Sequence, residues 1–401
     1  MNVRNRRLAA TTAILVAFAL LLAACGNPPD TGTGGTAPAG EGLYKPPTPV
    51  PGANGDVVWY RPITVAGLDA KVWKVLYRST NAAGAAVGIS GTVLVPNGAF
   101  TGTRPLIAFA PETAGVTDDC APSKSIANNN WIELDYVKQA LAKGWAVAVT
   151  DYEGLGTPGR HTYMVKDSQA HALLDVGRAA TRLPGSGLSA SAPVGLWGYS
   201  QGGGAAAAAA EAAPSYAPEL QVKGTAAGGV PADLTAVANS MQGGFFGFVL
   251  AAAQGYDAAY PELNLASHLN QEGTNLISQI DAGTRSTCLL SLVTDFLGKR
   301  TSDYTTSDPL QTSAWKARLG ENTLGKVKPA QPIFVYHALI DEVIPNSVGE
   351  GLKNRYCALG ATVQWNGSYF AEHLSGEGAA APDAIKFLED RFAGKPATRT
   401  C

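Results

Sequence analysis

Ser200 is the residue of this chain best placed to act as a nucleophile. It lies in the sequence Gly-Tyr-Ser-Gln-Gly at residues 198–202, between the apolar run 193–197 and a helix-forming tract, 203–213. A serine at a sharp strand-to-helix turn adopts a strained backbone that lifts its hydroxyl clear of the sheet. The N–H of the next residue then stands at a helix N-terminus, where it can stabilise an oxyanion. A structural glycine turn is the alternative in a chain with 46 glycines, but the flanking strand and helix favour a nucleophile.

A serine hydroxyl needs a base that accepts its proton, and histidine is the usual base. Of the five histidines, His373 is the candidate, because it lies in a polar loop after the last predicted strand. His337 falls inside a predicted strand and His171 inside a predicted helix, so both are expected to be packing residues. His161 follows the turn at Asp151 and is a candidate pocket residue.

The acid that orients the histidine is expected at the carboxyl end of the preceding strand. Asp341 holds that position after the apolar run that begins at Ile333. Glu342 is the rival for this role, and a solvated loop carboxylate is the other alternative. The chain order Ser200, Asp341, His373 is the order expected when the serine sits on a strand–turn–helix motif. The three residues together therefore predict a catalytic triad.

A glycine-rich turn at residues 151–156, Asp-Tyr-Glu-Gly-Leu-Gly, ends another predicted strand. Such a turn can direct a backbone N–H towards the site. The alternative is that Asp151 simply forms the turn. Tyr152 in this turn and Tyr199 beside the serine are candidate substrate-pocket residues.

The first residues are typical of an export signal. Three arginines precede an uncharged apolar stretch that ends at Ala24, followed by Cys25 and a glycine. This pattern resembles the lipobox of bacterial lipoproteins, in which the cysteine is lipidated and becomes the mature N-terminus. An ordinary cleaved signal peptide or an uncleaved anchor is the alternative. We therefore predict a signal peptide at 1–24 and an exported protein, lipid-anchored at the outer face of a bacterial membrane or released by secretion.

Residues 25–55 are predicted to be the lipidated cysteine and a flexible tether. This stretch is rich in Pro, Gly and Thr and poor in large apolar residues, so it cannot bury a core of its own. The net charge of the whole chain is −2. That balance argues against nucleic acid as a partner, because nucleic-acid binding needs a clustered basic surface.

Four cysteines remain besides Cys25: Cys120, Cys288, Cys357 and Cys401. An even number in an exported protein predicts two disulfides, for which three connectivities exist. The sequence contains no C-x-x-C or H-x-x-x-H pattern, so neither a metal site nor another cofactor is predicted.

Most of the remaining chain alternates apolar strands with helical patterns, after an antiparallel start between Trp59 and Val95. Strands that are apolar throughout indicate a sheet covered on both faces, and the alternation indicates a mostly parallel sheet. We therefore predict an α/β core at residues 56–230 and 326–401. The strands are predicted at 106–109, 145–149, 194–199, 222–227, 333–337 and 362–365, and the helices at 132–143, 168–182, from about 201, and 382–392.

Residues 231–325 interrupt this alternation with helical segments and no obvious strand. A long insertion at the carboxyl edge of such a sheet commonly covers the site, so we predict a helical cap. Phe245, Phe246 and Phe248 lie in an apolar, glycine-rich part of it. They are candidates for an acyl-binding wall or a mobile lid, although ordinary packing within the cap is the commoner role of such clusters.

Taken together, the motifs resemble the secretory lipase family of the α/β hydrolases, which includes fungal lipase A and many actinobacterial exported lipases. The likeness covers roughly residues 44–392. It rests on the motifs at 52–56, 151–154 and 198–202, on Asp341 with Val343 and Pro345, and on His373.

The resemblance implies an α/β-hydrolase fold with a helical cap. It also implies an oxyanion hole formed by the backbone amides of Asp151 and Gln201, and the disulfides Cys120–Cys288 and Cys357–Cys401. The chain departs from the fungal members at Gln201, where they have glycine. Because only the backbone N–H is needed there, the departure affects the shape of the pocket rather than the hole.

The function that follows is an exported carboxylic-ester hydrolase, a triacylglycerol lipase that works through an acyl-enzyme. Its partners would be an acylglycerol or another ester and, through the N-terminal anchor, a membrane. One alternative is a non-catalytic lipid-binding lipoprotein on a hydrolase scaffold, because a fold does not guarantee activity. An acyltransferase or a peptidase with the same triad is the other.

Overall fold

The computed structural model describes residues 34–401 of this protein. Within this range the strands form one ten-stranded sheet. They are β1 (Gly35–Thr36), β2 (Val57–Ile63), β3 (Ala70–Thr80), β4 (Ala86–Pro96), β5 (Leu106–Ala110), β6 (Ala146–Thr150), β7 (Pro193–Tyr199), β8 (Gln221–Gly228), β9 (Ile333–Ala338) and β10 (Val363–Tyr369).

Apart from the parallel pair β1–β2, the sheet is antiparallel in its first part and parallel over the rest. Its strand order is β1-β2-β3-β4-β6-β5-β7-β8-β9-β10. Strands β2, β3, β4 and β6 pair antiparallel, and every pair from β6 to β10 is parallel. The loops after β5, β7, β9 and β10 therefore share one edge of the sheet, which is where such folds place their sites.

Twelve α-helices accompany the sheet in the described part of the chain. They are α1 (Pro122–Ala127), α2 (Leu134–Ala142), α3 (Lys166–Arg182), α4 (Gln201–Tyr216), α5 (Leu234–Ser240), α6 (Phe246–Ala259), α7 (Gln271–Asp281), α8 (Leu289–Thr294), α9 (Thr301–Tyr304), α10 (Ser313–Asn322), α11 (Asn346–Ala358) and α12 (His373–Phe392). None of the helices between residues 34 and 401 is long and apolar enough to span a membrane.

Helices cover both faces of the sheet, which confirms the predicted α/β class. Along β5, Leu106 and Ala108 pack into a cluster with α3 and α4, whereas Ile107 and Phe109 pack into a second cluster with α2 and α12. Because successive side chains of a strand point to opposite faces, a strand that is apolar throughout needs helices on both sides.

Residues 34–55 correct the prediction of a flexible tether over 25–55. Gly35 and Thr36 pair with Trp59 and Tyr60 of β2, and Leu43 is fully buried. The Tyr44 hydroxyl lies 3.0 Å from the Ser123 hydroxyl, in the core domain. These few side chains anchor the segment, although its composition is that of a linker. Residues 1–33, which hold the predicted signal peptide and Cys25, lie outside the described residues.

The last helix is longer than predicted, because α12 begins at His373 rather than near residue 382. The Glu372 carboxylate caps the helix by accepting the N–H groups of Leu374 and Ser375, both at 2.8 Å. His373 is therefore the first residue of a capped helix and not part of an irregular loop.

The chain between β8 and β9 contains helices α5 to α10 and short 3-10 turns. Both cysteine pairs implied by the family resemblance are disulfide-bonded in the structure, Cys120 to Cys288 and Cys357 to Cys401. The second bond holds the C-terminal tail against β10. There the Thr400 N–H donates to the Val363 carbonyl and the Trp365 N–H donates to the Thr400 hydroxyl, both at 2.8 Å.

Candidate active site

Ser200 sits at the turn between β7 and α4 with a left-handed backbone, φ 55° and ψ −120°. The turn is possible only because small residues surround it. A Cβ on Gly202 would lie 1.9 Å from the carbonyl oxygen of Ala110, and one on Gly203 would lie 2.0 Å from that of Gly228. The strained serine and its glycines have the geometry of a nucleophile elbow.

The structure brings Ser200, His373 and Asp341 into one chain of hydrogen bonds. The Ser200 hydroxyl lies 2.9 Å from Nε2 of His373. The other ring nitrogen of His373, Nδ1, lies 2.7 Å from Oδ2 of Asp341. With an ionised aspartate, Nδ1–H donates to the carboxylate, which leaves the lone pair of Nε2 facing the serine proton.

The Asp341 carboxylate is held from several directions. Its Oδ1 accepts the N–H groups of Val343 at 3.0 Å and Ile344 at 2.7 Å. Its Oδ2 also lies 3.3 Å from Nε2 of His337, a fully buried histidine of β9. Burial alone would raise the pKa of Asp341, but hydrogen bonds from His337 and His373 outweigh burial and hold this pKa well below its usual range.

Glu342, the rival acid, does not touch the His373 ring. Its carboxylate accepts the backbone N–H of His373 at 3.1 Å. The other three histidines also lie away from the serine proton. His171 bonds to the carbonyl of Thr80 at 2.9 Å, and His268 bonds to the hydroxyl of Ser307 at 2.8 Å.

His161 supports the residue that follows the nucleophile. Its Nδ1 lies 2.8 Å from the carbonyl oxygen of Glu153, and its Nε2 lies 3.0 Å from the side-chain nitrogen of Gln201. Burial lowers the pKa of His161 to about 4, so the ring is neutral and Nε2 accepts from the amide. No sequence motif indicates this contact, because 40 residues separate the two partners.

Asp151 does not fit the oxyanion role that the resemblance implied. Its backbone N–H already donates to the Ser90 carbonyl at 2.9 Å. Its carboxylate accepts the Ser90 hydroxyl and the Ser123 N–H, both at 2.7 Å. In addition, β5 separates β6, which Asp151 follows, from the nucleophile strand β7. Asp151 is therefore a buried anchor for neighbouring loops.

Thr113 offers the free backbone N–H that Asp151 lacks. It follows β5, the strand paired with β7, and it lines the same cavity as Ser200. Its hydroxyl bonds to the Tyr163 hydroxyl at 2.7 Å, and its N–H has no partner among residues 34–401. In this type of fold, the loop after that strand commonly supplies the second oxyanion donor. The N–H of Gln201, which opens α4 directly after Ser200, is the other candidate donor.

Three glutamates are buried beside His373. Glu112 follows β5, Glu133 precedes α2, and Glu377 lies one turn after His373 in α12. Both oxygens of Glu133 accept the Glu112 N–H, at 3.1 and 3.0 Å. Burial raises the pKa of Glu112 to about 7, which His373 opposes, and raises those of Glu133 and Glu377 well above the usual range.

An apolar cavity extends from Ser200 into the segment between β8 and β9. Phe246 and Phe248, two of the predicted pocket residues, line it. Its wall also includes aliphatic and aromatic side chains of the inserted helices and of the loop after β9, among them Leu234, Val237, Met241, Trp315, Leu319, Val343 and Ile344. Such a lining accepts hydrocarbon and offers few polar partners.

The other three pocket candidates do not line this cavity. Tyr152 is buried and donates its hydroxyl to the Pro111 carbonyl at 2.8 Å, so it supports the loop that leads to Thr113. Tyr199 is buried below the His373 ring, with ring centroids 5.3 Å apart. Phe245 stacks on Phe248 at 6.4 Å. Tyr152 and Tyr199 therefore support the candidate site from within the core, and Phe245 contacts a residue of the cavity wall.

Comparison with known proteins agrees with this architecture. The family model described as secretory lipase matches residues 122–400. The chain belongs to the secretory lipase family. A relative from Mycobacterium tuberculosis, named a probable inactive lipase, is 34% identical and covers 81% of this chain and 74% of its own. A secreted triacylglycerol lipase of Malassezia globosa is 28% identical, with coverage of 90% and 81%.

The solved structure of Candida antarctica lipase A in its closed state matches with a TM-score of 0.78. It is 26% identical and covers 93% of this chain and 87% of its own. The fold is accordingly that of the α/β hydrolases, as the sequence predicted. Membership of a secretory family also supports export of this protein.

Proposed function

We propose that this protein is an exported carboxylic-ester hydrolase that acts on acylglycerols, with triacylglycerol as its substrate class. One observation carries the proposal: the hydrogen-bonded series Asp341–His373–Ser200 lies at the end of an apolar cavity. The cavity suits an acyl chain, and the series suits attack on the ester carbonyl at its end. The relative from Malassezia globosa, named a triacylglycerol lipase, supports the same substrate class.

The reaction would proceed through an acyl-enzyme. Ser200 attacks the ester carbonyl carbon while Nε2 of His373 accepts the hydroxyl proton, and Asp341 stabilises the resulting imidazolium. The tetrahedral oxyanion would receive the backbone N–H groups of Gln201 and Thr113. His373 then returns the proton to the departing alcohol, and a water molecule repeats the same steps to release the fatty acid.

The test replaces the nucleophile. Ser200→Ala should lower hydrolysis of p-nitrophenyl esters and of a triglyceride emulsion by roughly 10⁴-fold or more, because no other group can form the acyl-enzyme. Ser191→Ala, which changes an exposed serine, should leave both activities unchanged. Thermal unfolding of each variant verifies that it is folded. Full hydrolysis by Ser200→Ala would refute the assignment.

A non-catalytic lipid-binding protein is the second candidate, because the relative from Mycobacterium tuberculosis bears the name of a probable inactive lipase. A fluorophosphonate probe separates the two, since it reacts only with an activated serine. We expect stoichiometric labelling of the native protein and none of Ser200→Ala. An unlabelled native protein that still binds lipid would favour the second candidate.

Cys25 is proposed as the site of a lipid anchor. The basic and apolar segment before it supports this proposal. In cells supplied with a clickable fatty acid, the native protein should carry the label and sediment with membranes. Cys25→Ser should lose both properties. A native protein without the label would leave an ordinary signal peptide as the better interpretation.

A further inference from the structure

Exposed large apolar side chains are concentrated beside the candidate active site. Between residues 34 and 401 nine such side chains are exposed, and four of them fall in two short segments. Leu339 and Ile340 are 49% and 53% exposed, and Phe370 and Leu374 are 84% and 57% exposed. We call these four residues the rim patch. A soluble protein that clusters apolar side chains at its surface commonly uses them to bind.

The two segments of the rim patch lie side by side. The Leu339 N–H donates to the Tyr369 carbonyl at 2.7 Å, and the Ile340 N–H donates to the Ala371 carbonyl at 3.3 Å. They follow the carboxyl ends of the neighbouring parallel strands β9 and β10. The patch is therefore built on a fixed scaffold and not on a loose terminus.

The same two segments hold the acid and the base. Asp341 directly follows Ile340, and His373 directly precedes Leu374. Val343 and Ile344, in the first segment, line the cavity that contains Ser200. Apolar surface thus continues along this loop from the exterior of the protein to the wall of the cavity. A ligand that covers the rim patch would lie next to the cavity.

The charged residues next to the rim patch indicate which kind of apolar surface it can bind. Glu342 and Glu372 are exposed within the two segments, and hydrogen bonds to Glu372 lower the pKa of its carboxyl group. Residues 339–346 and 369–378 contain neither Lys nor Arg. Carboxylates without cations repel an anionic membrane surface, which instead attracts basic residues. The patch therefore suits an uncharged apolar surface.

We propose that the rim patch docks on an uncharged lipid–water interface, such as the surface of a droplet of neutral esters. Phe370 and Leu374 insert their side chains below the surface, and Leu339 and Ile340 extend the contact towards the cavity. The inference rests on the proposed function for the identity of the ester. Docking itself requires no hydrolysis and can be measured without it.

The experiment uses the full chain with two background substitutions. Cys25→Ser removes any acyl anchor, and Ser200→Ala prevents hydrolysis during the measurement. Flotation with triolein droplets coated in phosphatidylcholine measures the bound fraction. Phe370→Ser combined with Leu374→Ser should lower the affinity for the droplets at least about tenfold, because each apolar side chain removed from water contributes to partitioning.

Matched controls come from the opposite edge of the sheet. Val327 and Leu359 are exposed apolar residues that precede the amino ends of β9 and β10, so Val327→Ser and Leu359→Ser should not change binding. Leu339→Ser with Ile340→Ser provides a second patch variant should the first prove unstable in thermal unfolding. Replacing part of the phosphatidylcholine by phosphatidylglycerol should weaken binding of the background protein.

Three outcomes would overturn the proposal. The first is equal binding by folded patch variants and their background, and the second is an equal loss in the control variants. The third is a concentration-dependent dimer in sedimentation that the patch variants abolish, since a second copy of the chain would then be the ligand. Failure of the proposed function would appear separately, as absent fluorophosphonate labelling of the native serine.

Discussion

At the scale of single residues, Asp341 is unusual in facing two buried histidines. His373 links it to the serine, whereas His337 approaches the same oxygen from β9. Nε2 of His337 also lies 2.9 Å from the carbonyl oxygen of Ile344, and its Nδ1 has no partner among the described residues. His337 therefore positions the acid and the loop after it through its Nε2–H.

His337→Leu should lower kcat/KM for a soluble ester by about 10-fold, the expected effect of losing a hydrogen bond to a charged group. The lost donor should also raise the pKa of Asp341, so the titration of this carboxyl group, followed by infrared difference spectroscopy, should move to higher pH. His337→Gln, which retains an N–H donor, should recover part of both effects. An unchanged Asp341 titration in a folded His337→Leu variant would contradict this role.

The sequence was sufficient to find the three side chains of the candidate triad and the Gln201 amide, but not the second candidate oxyanion donor, Thr113. Residue type, chain order and position after a strand together led to Ser200, Asp341 and His373, which the structure places within hydrogen-bonding distance. Whether a backbone N–H is free depends on strand pairing, which a motif does not reveal. The amide of Asp151 is consumed by Ser90, and the free amide of Thr113 belongs to a loop without a distinctive motif.

At the scale of elements, the sequence predicted the bounds of the central strands well. It predicted less well where helix α12 begins, because that point depends on one capping residue, Glu372. The strands that are apolar throughout differ from their predictions by at most one residue at each end, whereas β10 ends at Tyr369 rather than at the predicted residue 365. Helix α12 was predicted nine residues too short, because Gly376, Gly378 and Pro382 normally interrupt helices. Packing of α12 against β8 and β9 and the cap by Glu372 outweigh these residues.

Segment 34–55 was predicted from its composition to be flexible, but it is packed against the domain. Glycine and proline dominate it, yet Leu43 and Tyr44 are buried against the domain. The Tyr44 hydroxyl meets Ser123, which in turn bonds to the Asp151 carboxylate. Two adjacent buried apolar residues and one hydrogen bond are thus enough to hold a segment of linker-like composition against the domain.

At the scale of the whole molecule, the three buried glutamates beside His373 make stability depend on pH. Among residues 34–401, no lysine or arginine contributes to their pKa shifts. The titratable groups around them are His373 and five tyrosines, Tyr136, Tyr152, Tyr163, Tyr199 and Tyr336. Raised pKa values mean that the folded protein holds protons that the unfolded chain releases. Stability should therefore fall as the pH rises from about 4.5 through 7 and beyond.

Glu377→Gln should remove part of this dependence, because the amide does not titrate and can occupy a site where one oxygen of Glu377 has no partner among residues 34–401. Relative to the native protein, the variant should gain about 1–3 kcal/mol in free energy of unfolding between pH 5 and pH 8. Glu272→Gln, at an exposed site of α7, should show no such gain. Denaturant titrations at both pH values measure it. A gain equal at the two pH values would mean that packing, and not proton binding, explains the change.

The tail that Cys401 fastens to Cys357 also affects how the molecule behaves in a crowded solution. Strand β10 is the last strand of the sheet, and an uncovered outer strand is a template for intermolecular β-pairing and amyloid-like growth. Thr400 covers part of the outer side of β10, because it hydrogen-bonds to the backbone carbonyl of Val363 and the backbone N–H of Trp365. The C-terminal tail thus protects this edge against aggregation, and reduction of Cys357–Cys401 would remove that protection.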